Sequence, residues 1–459
     1  MRIRIALAVL FVGLATQTSL AQLPHWTRFK LDNGLEVLVV ENHLTPIVTV
    51  EIAVKNGSFT ESQEYNGLSH LYEHMFFTAN EKDTSEEDFL DRVDRLGIVY
   101  NGETHEENVQ YYFTLPKQNI EEGMDFMATA IMHPLFKQKE IDQQIAVVLA
   151  EFDRDEASPF FNFNRDLQKA IWGDNWIRKE ALGQREAIKA ATREKMLAIK
   201  DKYYIPNNSL LIVAGDCSTD DVRDLAQKYF ASWKRGPDPF KGTTQPAIEP
   251  LTENKYVTDF VETPTAACLV RWHGPSIGID DKGTYAADVF SEIIRQDEHE
   301  FTKSLLESGV ASARNFWYYT QRLVGPIQAD IYAPPERMKA SMKIFWEQLD
   351  KFTKPGYYSD EELETSKQQL RSRILYDSES LSDFSKNIAF WWASTGLDYY
   401  EGYLDNLSKI TRKDINEYLR RYVIGKPYVI SIAVKAGDLL KYDLNPRDLT
   451  HDALVPTPR

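Results

Sequence analysis

Two short runs, Trp26 to Lys30 and Leu35 to Val40, the second apolar at five of its six positions, read as strands. Asp32-Asn33-Gly34 between the two runs is a strong hairpin-turn signal. Ile47 to Val54 alternates between apolar and polar or small residues, and residues 26–55 together predict strands. From Tyr65 to Asn80 the period lengthens to that of a helix, and a second helix is expected to start near Thr84, at capping-box spacing from Glu87. Asn108 to Leu115 predicts another strand, and residues 117–132 and 137–157 predict two long helices. A helix over 192–203, an apolar strand from Leu210 to Ala214 and a helix from Ser218 to Trp233 close this half.

The Pro/Gly-rich stretch from Arg235 to Pro250 then interrupts all periodicity and marks a linker. Beyond it the chain echoes itself at an offset of 219, "TREKMLAIKDKYYI" from Thr192 matching "TRKDINEYLRRYVI" from Thr411. The apolar strands after them fall in register too, Leu210-Leu211 against Val429-Ile430 and Val213-Ala214 against Ile432-Ala433. Coincident helix and strand registers point to duplication. The expected fold is α+β, with two tandem similar domains, each an antiparallel sheet flanked by helices. Their expected limits are residues 22–235 and 252–450, with 236–251 as the linker.

At 459 residues the chain exceeds what one core organises. Its 53 Lys and Arg against 69 Asp and Glu leave a net charge of −16, which disfavours nucleic acid and anionic lipid as partners. The first 21 residues have the pattern of a cleaved signal peptide: Arg2 and Arg4, an apolar run from Ile5 to Ala15, then Ser19-Leu20-Ala21. That run is too short to span a bilayer comfortably, and no cysteine follows it to carry a lipid. The mature protein is therefore expected to be exported, without a membrane span, into a bacterial periplasm or medium. Cys217 and Cys268, far apart in sequence, are expected to be two small buried side chains rather than a disulfide framework.

The chemistry concentrates in "GLSHLYEHMFF", residues 67–77. On a helix His70 and His74 stack on one face with Glu73 beside them, and both imidazoles can reach one ion. Leu68, Leu71, Met75, Phe76 and Phe77 would bury the rest of that helix. A catalytic zinc needs a third protein ligand and one position left open.

The run from Leu31 to Phe77 resembles the amino-terminal region of inverted-zincin peptidases of the pitrilysin and mitochondrial processing peptidase type, family M16. Its matching features are Asn33-Gly34-Leu35, Pro46, Gly57-Ser58, Glu61, Gly67 and the His-x-x-Glu-His core. The likeness continues to "QQIAVVLAEFDRDE", where the family places its third ligand, here Glu151. The resemblance implies a metallohydrolase fold of the processing-peptidase kind and one zinc ion per chain, held by His70, His74 and Glu151. It implies Glu73 as the general base for peptide hydrolysis, and Asn101 as a residue that touches substrate backbone. Extended peptide is expected to add to a sheet edge at Asn108 to Leu115.

Two departures from the family pattern stand out. A glutamate usual seven positions before the ligand glutamate is Gln144 here, an amide beside the metal in place of a charge. In the second half, Leu306 and Ser312 occupy the positions of the Arg and Tyr that hold substrate in the family, while Arg314, Tyr318 and Tyr319 lie out of register and are expected to be one solvated Arg and exposed aromatics on a strand. The expected assembly is a heterodimer with a related chain that lacks the motif and supplies Arg and Tyr, with a homodimer second. A non-catalytic structural subunit is the alternative function, disfavoured by the intact His70, Glu73, His74 and Glu151.

Overall fold

The computed structural model describes residues 24–242 and 247–455, so the predicted signal segment lies outside the described residues. The first two runs form the expected hairpin, β1 (Thr27–Lys30) with β2 (Glu36–Glu41), and Gly34 takes the turn at a φ of 98°. β3 (Ile47–Val54) leads to α1 (Leu68–Phe76) and α2 (Glu86–Leu96). The cap of α2 is Ser85, which accepts from the Asp88 amide, whereas Thr84, expected in that role, donates to the Asp88 carboxylate. β4 (Val99–Thr104) pairs with β5 (Val109–Pro116). α3 (Ile120–Met132), α4 (Gln138–Glu156), α5 (Phe161–Trp172), α6 (Arg193–Tyr203), β6 (Ser209–Gly215) and α7 (Thr219–Phe230) follow.

The sheet runs β1-β2-β6-β3-β5-β4, antiparallel except for β2 and β6. The strand of residues 109–116 is therefore internal, between β3 and β4, and the free edge is β4. This corrects the expectation that an incoming peptide would pair with that strand. The sequence from Val99 to Thr104 alternates weakly and carries Gly102, so it did not read as a strand.

The second sheet uses β7 (Lys255–Phe260), β8 (Ala266–His273), β9 (Ala313–Tyr318), β10 (Pro326–Ala333) and β11 (Val429–Val434) in the order β7-β11-β8-β10-β9. It repeats the first sheet without a β1 equivalent, down to the single parallel pair, β7 with β11. Its long helices are α8 (Asp281–Arg295), α9 (Met338–Lys351), α10 (Asp360–Asp377), α11 (Leu381–Ser394) and α12 (Arg412–Tyr422). α6 and α12 begin at the same offset of 219, and Thr192 and Thr411 cap them alike. Cys217 and Cys268 are free and lie in two different cores.

The halves exchange a helix. α11 lays Phe384, Ile388, Ala389 and Trp392 on the outer face of the first sheet, against Leu38, Val40, Leu210 and Ile212. α5 returns the arrangement, placing Phe163, Leu167, Ile171 and Trp172 on Ala267, Leu269, Val429 and Ala433 of the second. Each sheet thus has one face covered by its own helices and the other by a helix from the opposite half, so that separating the halves exposes two apolar faces.

A buried carboxyl sits in that seam. Glu51 of β3 is fully buried and accepts from Ser385 Oγ of α11 at 2.5 Å, and burial pushes its pKa up to about 8. The folded chain holds this proton more tightly than the unfolded chain, so the contribution is present at low pH and is lost as pH rises from about 4.5 towards about 8. Glu51→Gln is expected to flatten the fall in stability across that window by removing the ionisable group. Urea unfolding of both proteins at pH 5 and pH 8 checks it. A difference between the two proteins that does not grow with pH contradicts it.

Candidate metal centre

α1 buries Leu68, Leu71, Tyr72, Met75 and Phe76 and turns His70, Glu73 and His74 to the opposite side. Tyr72 stacks on Tyr204 and Phe76 on Tyr111, with ring centroids 3.9 Å apart in each pair, which fixes the helix against the sheet. α4 crosses it with Ile141, Gln144, Val148 and Phe152 buried, and Glu151 projects from this helix seven residues after Gln144.

Three donor atoms converge. His70 Nε2 and His74 Nε2 lie 3.3 Å apart, and Glu151 Oε2 is 3.5 Å from the first and 3.7 Å from the second. Donors around a tetrahedral zinc at about 2.1 Å are separated by about 3.4 Å, so the three fit such an ion without rearrangement. Among the described residues this is the one group of three or more His, Cys, Asp or Glu side chains able to hold a metal.

The protonation of the site suits a cation. Burial, then the neighbouring His74, pushes His70 down to about 4, so its imidazole is neutral and a free nitrogen lone pair is available. His74 Nδ1 lies 3.3 Å from Gln144 Oε1, an acceptor that keeps the proton on Nδ1 and the lone pair on Nε2. Gln144 thus meets His74 through a neutral amide oxygen where a carboxylate would bring charge. His70 Nδ1 is buried without a hydrogen-bond partner among the described residues.

Glu73 points to the edge strand. Its Oε2 accepts from Thr104 Oγ at 2.8 Å. Burial pushes its pKa up to about 7, against the opposing Thr104 bond and with the help of the Glu151 and Glu103 charges. Gly102 of β4 makes room for it, since a Cβ there would lie 2.7 Å from Glu73 Cγ. The sequence reading missed Gly102 and Thr104. The usable signal was a glycine inside a short extended run, which commonly marks a close approach. Asn101, next to Gly102, is exposed on the free edge.

Two M16 models match the chain. One described as "Insulinase (Peptidase family M16)" covers residues 36–183, and one described as "Peptidase M16 inactive domain" covers residues 190–370. The chain belongs to peptidase family M16. Among the M16 relatives, an uncharacterized zinc protease of Rickettsia felis is 24% identical over 373 residues, spanning 80% of this chain and 87% of its own. The Bacillus subtilis zinc protease YmxG is 22% identical over 90% of this chain and 99% of its own. A protease from Helicobacter pylori shares the fold with a TM-score of 0.79 at 19% identity, over 90% of this chain and all of its own. The periplasmic protease PqqL of Escherichia coli aligns with a TM-score of 0.76 at 16% identity, over 95% of this chain and 50% of its own.

Leu306 lies in a π-helical turn, Lys303–Glu307, and the Ser312 amide donates to Tyr332 O. Arg314, expected as a solvated side chain, instead donates to Arg295 O at 2.9 Å and to Thr302 Oγ. Tyr318 is buried and donates to Pro275 O, and Tyr319 donates to Glu106 Oε2 across the two halves. Of the other histidines, His273 stacks on Trp172, His299 on Phe352, and His105 lies 3.3 Å from Glu103. Among the described residues no helix is long and apolar enough to cross a membrane.

Proposed function

We propose that this chain is the zinc-bearing subunit of an exported M16 endopeptidase that hydrolyses peptides or unfolded polypeptides. The carrying observation is the convergence of His70 Nε2, His74 Nε2 and Glu151 Oε2, with Glu73 on the same helix. His70, His74 and Glu151 would hold one zinc ion. When bound, that ion supplies Lewis acidity, which polarises a carbonyl oxygen and acidifies water.

The chain's own residues do the rest. Thr104 fixes one oxygen of Glu73, and the other has no hydrogen-bond partner among the described residues, so it is placed to take a proton from water. The free edge of β4 offers main-chain donors and acceptors to an extended peptide, which gives affinity with little sequence demand. Asn101 is exposed on that edge to meet the peptide backbone, and Gly102 leaves room for Glu73 against the strand.

Substrate holding at the carbonyl oxygen is assigned to a partner. Arg314, Tyr318 and Tyr319 are all committed to internal hydrogen bonds, and neither Leu306 nor Ser312 can replace an Arg and a Tyr. The exchanged helices tie the two halves of this chain together. A related M16 chain lacking the metal motif and carrying Arg and Tyr fits this need. Addition of such a chain is expected to raise cleavage of a quenched fluorescent peptide by about 10² to 10³, the usual worth of an oxyanion donor. Chelation should abolish the cleavage and zinc restore it. A lone chain that cleaves as fast as the mixture contradicts the divided site.

A further inference from the structure

The amino terminus of α1 is held in an unusual way. α2, α6 and α12 each begin with a Ser or Thr whose side chain accepts an amide of the first turn, but the residue before α1 is Gly67, which has no side chain to do so. Glu61 reaches in from six residues upstream. Its Oε2 accepts from the Gly67 amide at 2.7 Å and from Asn66 Nδ2 at 3.1 Å, and its Oε1 accepts from the Ser69 amide at 2.7 Å. Glu61 is only 4% exposed, and its own amide is bonded to Ser58 O at the end of a 3-10 turn. A carboxylate at this end of a helix also complements its positive dipole. Asn66 donates in turn to Ile177 O, and Gly67 passes so close to Gly183 that a Cβ on Gly183 would lie 2.2 Å from Gly67 Cα.

His70 follows immediately after the clamped Ser69 amide. The two histidines are held differently: His74 has Gln144 on its second nitrogen, while His70 Nδ1 has no hydrogen-bond partner among the described residues. The aim of His70 therefore depends on its backbone, and the backbone of that turn depends on Glu61.

We infer that Glu61 is a positioning residue for the metal centre, whose carboxylate clamps the first turn of α1 so that His70 Nε2 meets His74 and Glu151. The inference rests on the metal reading above. Glutamine in this place can accept through one oxygen only and turns an N–H₂ towards a backbone N–H, so it frees one of the two amides. Aspartate keeps the charge but is one methylene short of spanning both.

The test is titration of the full chain with cobalt(II), followed by its visible spectrum, for the wild type, Glu61→Gln, Glu61→Asp and Leu419→Ala. Leu419 is buried in the second core and provides a destabilised control far from the site. Loss of the clamp is expected to weaken cobalt binding about 10-fold or more for Glu61→Gln and less for Glu61→Asp, with shifted absorption bands in both. Leu419→Ala should keep the wild-type affinity and spectrum even where its melting temperature falls as far. If Glu61→Gln fails to fold, Glu61→Asp carries the test alone. Wild-type affinity and bands in the glutamate variants overturn the role of Glu61 and leave the metal reading standing. A wild-type chain that binds no cobalt overturns both.

Discussion

Glu73→Gln is expected to cut peptide hydrolysis by about 10³ while leaving zinc content and folding unchanged. Glutamine matches the size of glutamate, and its amide oxygen can still accept from Thr104 Oγ, which holds Glu73 Oε2 at 2.8 Å. It cannot take up a proton. Glu73 is not among the three converging donors, so metal binding has no reason to fall. In the wild type, burial raises the Glu73 pKa to about 7, near the pH at which a general base is most effective. A base acts when deprotonated, so the wild-type rate should rise with pH through that range, and the residual rate of the variant should lose this limb. Steady-state kcat/KM from pH 5 to pH 9, on samples matched for zinc, checks both. Full activity in Glu73→Gln removes Glu73 from the chemistry.

Much of the fold was legible where the physical signal is local. The hairpin around Gly34 follows from a turn that favours positive φ between two short strand-like runs, and the offset of 219 exposed the duplication because α6 and α12 share cap and register. Strand order was not legible, since neighbours such as β2 and β6 meet across some 170 residues and both read simply as apolar. The internal place of β5 and the free edge of β4 are consequences of that order. The exchange of α5 and α11 was equally hidden, because an amphipathic helix does not say which sheet it covers.

At the site, the sequence placed His70, Glu73 and His74 on one helix face because helical spacing is local, and Glu151 came from resemblance to the family. The support around them was less visible. Thr104 meets Glu73 only once β4 is paired at the edge, and Glu61 reaches α1 through a loop with no periodicity. Arg314 looked solvated because a lone charge in a strand usually is, yet the end of α8 and Thr302 claim it.

Loss of the third donor should be as damaging as loss of the base. Glu151 supplies the only carboxylate oxygen of the trio, 3.5 and 3.7 Å from the two imidazole nitrogens, and it projects from the middle of α4. Alanine suits that helix, and Glu151 is only partly buried, so the substitution is expected to leave the fold intact. Two imidazoles without the carboxylate offer the ion neither a third bond nor a compensating charge. The most direct measurement is zinc bound per folded chain, by elemental analysis after dialysis against a weak chelator, for the wild type and Glu151→Ala. One ion per wild-type chain and almost none in the variant is the predicted result; equal zinc in the two proteins would contradict it.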